Sequence, residues 1–268
     1  MSATGLTLRQ VRFTNKAFWR NPASAFFTFA FPLMFLVIFT ALLGGGTIPI
    51  QGMELKQSTY YVVAMATFGV VSACYTNIAI SVCFNRDSGI LKRTRGTPLP
   101  GWSYLGGRVI HATIVGAILV VITLLFGQAF YDGTFPTGSA LLEFAATFLV
   151  GALSFSALAF ALTAVIPNAD AAPPMVNASI LPLLFLSGIF IPLGDDAPAW
   201  IRFIGTVFPL RHFADAMRSA YLSKVVMTTP AGIVHPFVFH WSDLLVIAAW
   251  GVAGLVLAVR FFSWEPRK

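Results

Sequence analysis

"LGGRVIHATIVGAILVVITLLFGQAF", residues 105–130, carries Arg108 as its only charged residue. A helix needs about 20 predominantly apolar residues to cross the hydrocarbon core of a bilayer. This run is long enough, and its apolar residues are continuous rather than alternating. That pattern predicts a membrane-spanning helix and argues against a barrel strand. Five further runs of the same kind follow from it, at about 25–43, 60–84, 141–166, 174–193 and 243–262. Hydrophobic residues make up 57% of the chain, charged residues 10%, and phenylalanine occurs 26 times. Ordinary soluble domains carry about 25% charge. The expected fold is an all-α integral membrane protein with six transmembrane helices, one transmembrane unit over 1–268. The formal net charge of +7 reads as basic flanks of membrane spans rather than as a nucleic-acid surface.

Lysine and arginine set the orientation. Arg9, Arg12, Lys16 and Arg20 precede the first span. Arg86, Lys92, Arg93 and Arg95 fill the connection after the second, and Arg260, Arg267 and Lys268 close the chain. The first connection has only Lys56, and the third has none. Both termini and the 85–103 elbow are therefore expected on the cytoplasmic side. Arg202, Arg211, Arg218 and Lys224 fall on the outer side, in a long connection where the rule is weaker. The first apolar run is too long and begins too late for a cleavable signal peptide.

The four basic residues before the first span recur at helical spacing and share one stripe. Leu8, Val11, Phe18 and Trp19 lie on the adjoining stripe. Residues 6–21 therefore read as an amphipathic helix lying in the cytoplasmic interface, against membrane lipid. Asn21-Pro22 restarts the chain, with Asn21 as N-cap and Pro22 in the first helical position. Pro32 and Pro182 fall inside spans and each removes a backbone donor. Thr76 and Asn77 lie deep in the second span. They suit interhelical hydrogen bonds or the lining of a substrate path.

The 194–242 connection is too apolar for a solvated loop. Trp200, Ile201, Phe203, Ile204, Val207, Phe208 and Leu210 crowd one part of it. Pro198 and Pro209 can each start a short helix, which predicts a re-entrant helical pair in the outer leaflet between spans five and six. Backbone at such a turn must be buried in protein.

Catalytic chemistry is scarce. No G-x-x-x-x-G-K-[ST] phosphate cradle and no H-E-x-x-H occurs. His235 and His240 have the wrong spacing for one helical face. Asn177-Ala178-Ser179 matches a glycosylation pattern inside a span. Cys74 and Cys83 stand nine positions apart in one helical run, too far along the axis to pair. Glu143 and Asp243 sit near outer ends of spans, and Arg108 and His111 near the inner end of span three. No acid falls at a span midpoint, which disfavours an ion-coupled carrier. No catalytic, cofactor or metal site is assigned to this sequence.

Four stretches together carry a resemblance: the basic start ending in "RNP", the elbow "NRDSGILKRTRGTPLPGWSYLGGRV", the run "LPLLFLSGIFIPLGDDAPAWIRFIGTVFPLRHFADAMR", and the closing "RFFSWEPRK". In them the chain resembles the integral-membrane permease of type-2 ABC exporters, a class that includes drug-resistance, polysaccharide and lipid exporters. The resemblance implies a dimer, with itself or with a similar permease. It also implies a separate ABC ATPase subunit that carries the ATP and magnesium. The elbow would be the coupling helix, seated in a cleft of that ATPase, with Arg86, Asp87, Gly89, Ile90, Leu91 and Arg93 as contact residues. Many members have Arg-Glu where this chain has Arg86-Asp87. Asp87 is expected at the start of the short helix, and Ile90–Leu91 as an apolar knob. The N-terminal helix would touch the ATPase too. Trp200, Pro209 and Arg218 mark the outer re-entrant region. The function implied is ATP-driven export of hydrophobic or amphipathic cargo across a bacterial-type inner membrane. A secondary multidrug carrier and a non-transporting membrane assembly protein are the competing readings.

Overall fold

Asn21 draws the first boundary in the chain. Its side-chain oxygen accepts the Ser24 amide at 3.2 Å, and Pro22 takes the first helical position, where a missing N–H leaves nothing unpaired. Helix α1, Ala3–Trp19, ends before this cap, and α2, Pro22–Leu43, begins after it. The computed structural model describes residues 3–43, 46–50, 53–131, 133, 135–193, 197–223, 227–229, 232–234 and 237–266. Lys224, His235, Arg267 and Lys268 lie outside the described residues.

Eight further helices follow among the described residues. They are α3 Gln57–Asp87, α4 Ile90–Arg95, α5 Gly101–Tyr131, α6 Ser139–Thr163, α7 Ala172–Leu186, α8 Ala199–Val207, α9 Pro209–Leu222 and α10 Trp241–Phe261. Two small antiparallel hairpins, unforeseen in the sequence, pair Thr47–Ile50 with Met53–Lys56 and Met227–Thr229 with Gly232–Val234. Helices α2, α3, α5, α6 and α10 are long and apolar enough to cross a membrane. The chain is a multi-pass, all-α membrane protein.

Helix α7 is the sixth apolar segment and the short one, with 15 residues. At 1.5 Å per residue it rises about 22 Å, less than the hydrocarbon thickness of about 30 Å. The expected span 174–193 is completed by non-helical backbone. Gly188 turns left-handed there, at φ 78°. Such backbone is tolerated within a membrane only where protein satisfies it. Here the Tyr60 hydroxyl donates to the Gly188 carbonyl, and the Tyr61 hydroxyl reaches the Phe190 carbonyl at 3.5 Å. Ser187, Ile189 and Phe190 are buried around the turn.

Helix α3 is the axis of the molecule and is buried on nearly every side. It packs against α2, α5 and α9. At Ser72–Thr76 it widens into a π turn, where the Asn77 amide bonds the Ser72 carbonyl five residues back. Helix α10 makes the closest helix pair with α6. A Cβ on Gly251 would sit 2.3 Å from the Ser154 hydroxyl, and one on Gly254 would sit 2.9 Å from the Leu158 nitrogen. The other side of α10 presents Leu245, Val252, Val256 and Val259 outward, as a lipid-facing surface should.

Contacts sort the molecule into two ends. At one, Thr7 on α1 donates to the Ser103 hydroxyl at 3.2 Å, the Phe18 ring meets His111 edge-on at 5.4 Å, and Trp264 lies 5.8 Å from Tyr104. This end gathers α1, α4, the α6–α7 turn and the chain after α10. At the other, the Thr40 and Tyr131 hydroxyls bond at 2.7 Å and His212 meets Asp243 at 2.7 Å. Cys74 and Cys83 are buried and unpaired with each other.

Candidate functional site

The elbow is built by two glycines and two prolines. Helix α3 ends at Asp87, with the Ser88 and Gly89 amides closing back onto Phe84 and Arg86. Gly89 then adopts φ 73°, a left-handed conformation costly for a residue with a Cβ. Its carbonyl accepts the Arg93 amide at 3.0 Å and so starts α4. The helix stops at Gly96. Thr97 caps it, its hydroxyl donating to the Thr94 carbonyl at 2.6 Å, and Pro98 and Pro100 lead into α5.

The structure splits the six elbow residues singled out in the sequence into two groups. Ile90 and Arg93 face outward, with Lys92 and Arg95 beside them, and Ile90 is 40% exposed. Arg86 and Leu91 face inward, 1% and 0% exposed. The expected knob is therefore Ile90 alone. Leu91 is the residue that seats α4 on the body. Asp87 is not at the start of α4 but at the end of α3. Its carboxylate accepts the Ala169 amide from the α6–α7 turn at 2.5 Å. The Arg86 guanidinium donates to the carbonyls of Thr163, Ile166 and Pro167 at 3.0, 2.8 and 3.2 Å. Spacing along the chain cannot reveal these partners, because they lie about eighty residues away.

Helix α1 crosses the same end of α5. Arg9, Arg12, Lys16 and Arg20 are all exposed, while Thr7 and Phe18 pack inward. Trp19 stacks on Phe29 at 5.8 Å. The arrangement is that of a helix lying across the spans with its basic stripe free. Arg108 is held by two hydroxyls. It donates to the Tyr104 and Ser81 hydroxyls at 2.8 and 2.9 Å and so ties α5 to α3.

At the far end, Pro209 is buried at the start of α9, and Trp200 on α8 is 59% exposed. Arg218 pairs with Asp215 at 2.6 Å and lies over the Tyr60 ring at 5.0 Å. Arg218 and Tyr60 line a small hollow there with Thr67 and Gly188. His212 faces two acceptors, the Asp243 carboxylate at 2.7 Å and the Thr206 carbonyl at 3.0 Å. With Asp243 ionised, both contacts are hydrogen bonds only when the ring carries both protons. Thr76 and Asn77 are half-buried at the π turn. An interhelical bond there belongs to Tyr75, whose hydroxyl meets that of Ser179 at 2.8 Å. Among the described residues, His111 Nδ1, Glu143 Oε2 and Arg211 NH1 are buried without a partner. Glu143 is thus more enclosed than its place near a helix end suggested. No group of three metal-ligating side chains occurs among the described residues.

One end carrying a short basic elbow, and the opposite end closed by two short helices, define a membrane-embedded helical unit of one kind. Residues 7–222 match the family described as ABC-2 type transporter, and the chain belongs to that family. Three relatives show how far the likeness extends. The probable multidrug ABC transporter permease YbhR of Escherichia coli K12 is 26% identical over 182 residues, 68% of this chain. The putative transport permease YvfS of Bacillus subtilis is 23% identical over 194 residues, 72% of this chain and 76% of its own length. The daunorubicin resistance ABC transporter permease protein DrrB1 of Streptomyces coeruleorubidus is 26% identical over 224 residues, 81% of this chain and 75% of its own. The match spans only 47% of the length of YbhR.

Proposed function

We propose that this chain is the membrane-spanning permease of an ATP-driven exporter, energised by a separate ABC ATPase subunit. One observation carries the reading. At the end rich in lysine and arginine, a six-residue helix presents Ile90, Lys92, Arg93 and Arg95 outward while Leu91 and Arg86 fasten it to the body. An apolar side chain ringed by charge, on a rigid mount, suits a protein groove better than it suits water. The sequence holds no phosphate cradle of its own, so ATP and magnesium are assigned to the partner. Family membership supports the kind of partner.

The working unit is two permeases, this chain with a second copy or with a similar permease. The protein resides in a bacterial-type inner membrane with both termini and the elbow in the cytoplasm. The positions of Arg9, Arg12, Lys16, Arg20, Lys92, Arg93 and Arg95 at one end support that orientation. The cargo is hydrophobic or amphipathic, of the drug or lipid kind. The relatives YbhR, a probable multidrug ABC transporter permease, and DrrB1, a daunorubicin resistance permease, support that class.

The test is recruitment and transport. Chain purified in mild detergent should bring an ABC ATPase with it, and vesicles holding the pair should move daunorubicin only with ATP. Recovery without an ATPase, or movement indifferent to ATP, rules the reading out. Orientation has its own check. Both native cysteines are buried, so a Thr97→Cys variant should be labelled by an impermeant maleimide only after the cytoplasmic face is opened. Labelling of intact cells would invert the topology.

A further inference from the structure

Arg86 is a large cation, 1% exposed, at the junction of α3 and the elbow. A buried guanidinium is costly unless its donors are met. Here they are met mainly by the last carbonyl of α6 and by the turn beyond it. Helix α6 ends at Thr163, and the last carbonyls of a helix have no partner within it. They also carry the negative end of the helix dipole. Arg86 donates to Thr163, Ile166 and Pro167 there, at 3.0, 2.8 and 3.2 Å. It therefore caps, from another helix, the end of α6 and the turn beyond.

Asp87 completes the hold with the opposite sign. Its carboxylate accepts the Ala169 amide at 2.5 Å, two residues past Pro167, and lies 3.4 Å from the Arg86 Nε. Two adjacent side chains thus grip the α6–α7 turn by its carbonyls and by its amide. Leu91, fully buried, holds α4 to the same body.

We propose that Arg86 and Asp87 are positioning residues that make the elbow and the α6–α7 turn one mechanical body, so that a push on α4 displaces α6 and α7 together with α3. The inference rests on the permease reading above. It assigns the Arg-Asp pair to transmission inside this chain instead of contact with the ATPase. A lysine cannot do the same work, because a single ammonium lacks the planar fork that spans several carbonyls.

The experiment uses spin-label pairs in the permease–ATPase complex, with Cys74 and Cys83 replaced by alanine. One pair, Thr97→Cys with Asn168→Cys, spans elbow and turn. A second, Thr97→Cys with Ala23→Cys, registers elbow displacement. Between nucleotide-free and vanadate-trapped states the second distance should shift while the first keeps one narrow distribution. In Arg86→Gln the first distribution should broaden, and transport should fall about tenfold or more while ATP hydrolysis and ATPase binding persist. Arg86→Lys should recover only part of the transport. A first distance that changes with nucleotide in the unsubstituted Arg86 protein overturns the proposal. So does a second distance that never shifts, or an Arg86→Gln protein that transports normally. Should Arg86→Gln fail to fold, Arg86→Lys and the label pairs in the unsubstituted background decide. Absence of any recruited ATPase counts against the permease reading instead, and the Thr97–Asn168 distribution in the permease alone then reads the tie.

Discussion

An Ile90→Asp variant should insert, fold and survive purification as the parent does, yet lose its ATPase. Ile90 is the outward apolar side chain of α4, 40% exposed where Leu91 is buried. On the permease reading, a carboxylate there would leave the fold alone but place a charge in the groove proposed to receive the elbow. Truncation or charging of an interface anchor costs about 2–4 kcal/mol, about thirtyfold to a thousandfold in affinity. Titration of the purified ATPase onto detergent-solubilised permease reads the loss directly. Leu91→Asp is the informative contrast. Leu91 is completely buried, so its carboxylate lands in the permease interior. That variant should be destabilised by itself, before any partner is added. Equal ATPase affinity in Ile90→Asp and the parent would remove the elbow from the docking surface.

Gly254→Leu should produce the largest loss of stability. A Cβ at this position meets the Leu158 nitrogen at 2.9 Å and the Ala157 carbonyl carbon at 3.1 Å, both backbone atoms. Backbone in a neighbouring helix cannot step aside as a side chain can, so α10 must move away from α6. In lipid there is no hydrophobic gain between helices to offset lost packing, and small residues at the seam are what permit it. The expected cost is about 3 kcal/mol or more, read as a lower midpoint in a thermal aggregation assay in detergent. Gly106→Ala is the control, because its added carbon would find only the Thr7 methyl, at 3.8 Å. Equal midpoints for Gly254→Leu and the parent would mean that α10 is free to shift without loss.

The spans, the N-terminal helix and the Asn21–Pro22 restart were legible because each rests on a local pattern: an apolar run, a basic stripe, a cap. The two short helices after Pro198 and Phe208 were legible from Pro198 and Pro209 for the same reason. What the sequence hid is long-range. Arg86 reads as one more basic residue of a cytoplasmic loop until Thr163 and Ile166 are seen beside it. Tyr60 reads as an ordinary aromatic at a span end until it is found serving the Gly188 carbonyl. Leu91 and Ile90 are adjacent and equally apolar, and only the body beneath α4 tells them apart. The π turn leaves no mark in composition either, since it is one residue more than the α-helical period needs.

If the elbow is displaced as the permease reading requires, that turn would set how far the displacement travels. Arg86 at one end of α3 and Tyr60, beneath Arg218, at the other are parts of one helix. An unbroken α-helix would act as a stiff rod and carry a thrust from end to end. Helix α3 instead has a slack link at Ser72–Thr76, where one surplus residue is stored. Were that residue drawn into regular winding, the two halves would turn against each other by about 100°, one residue's share of a helical turn. On the permease reading, a thrust at the elbow would then emerge at the Tyr60 end as a twist, with five residues at mid-helix as the gearing between them.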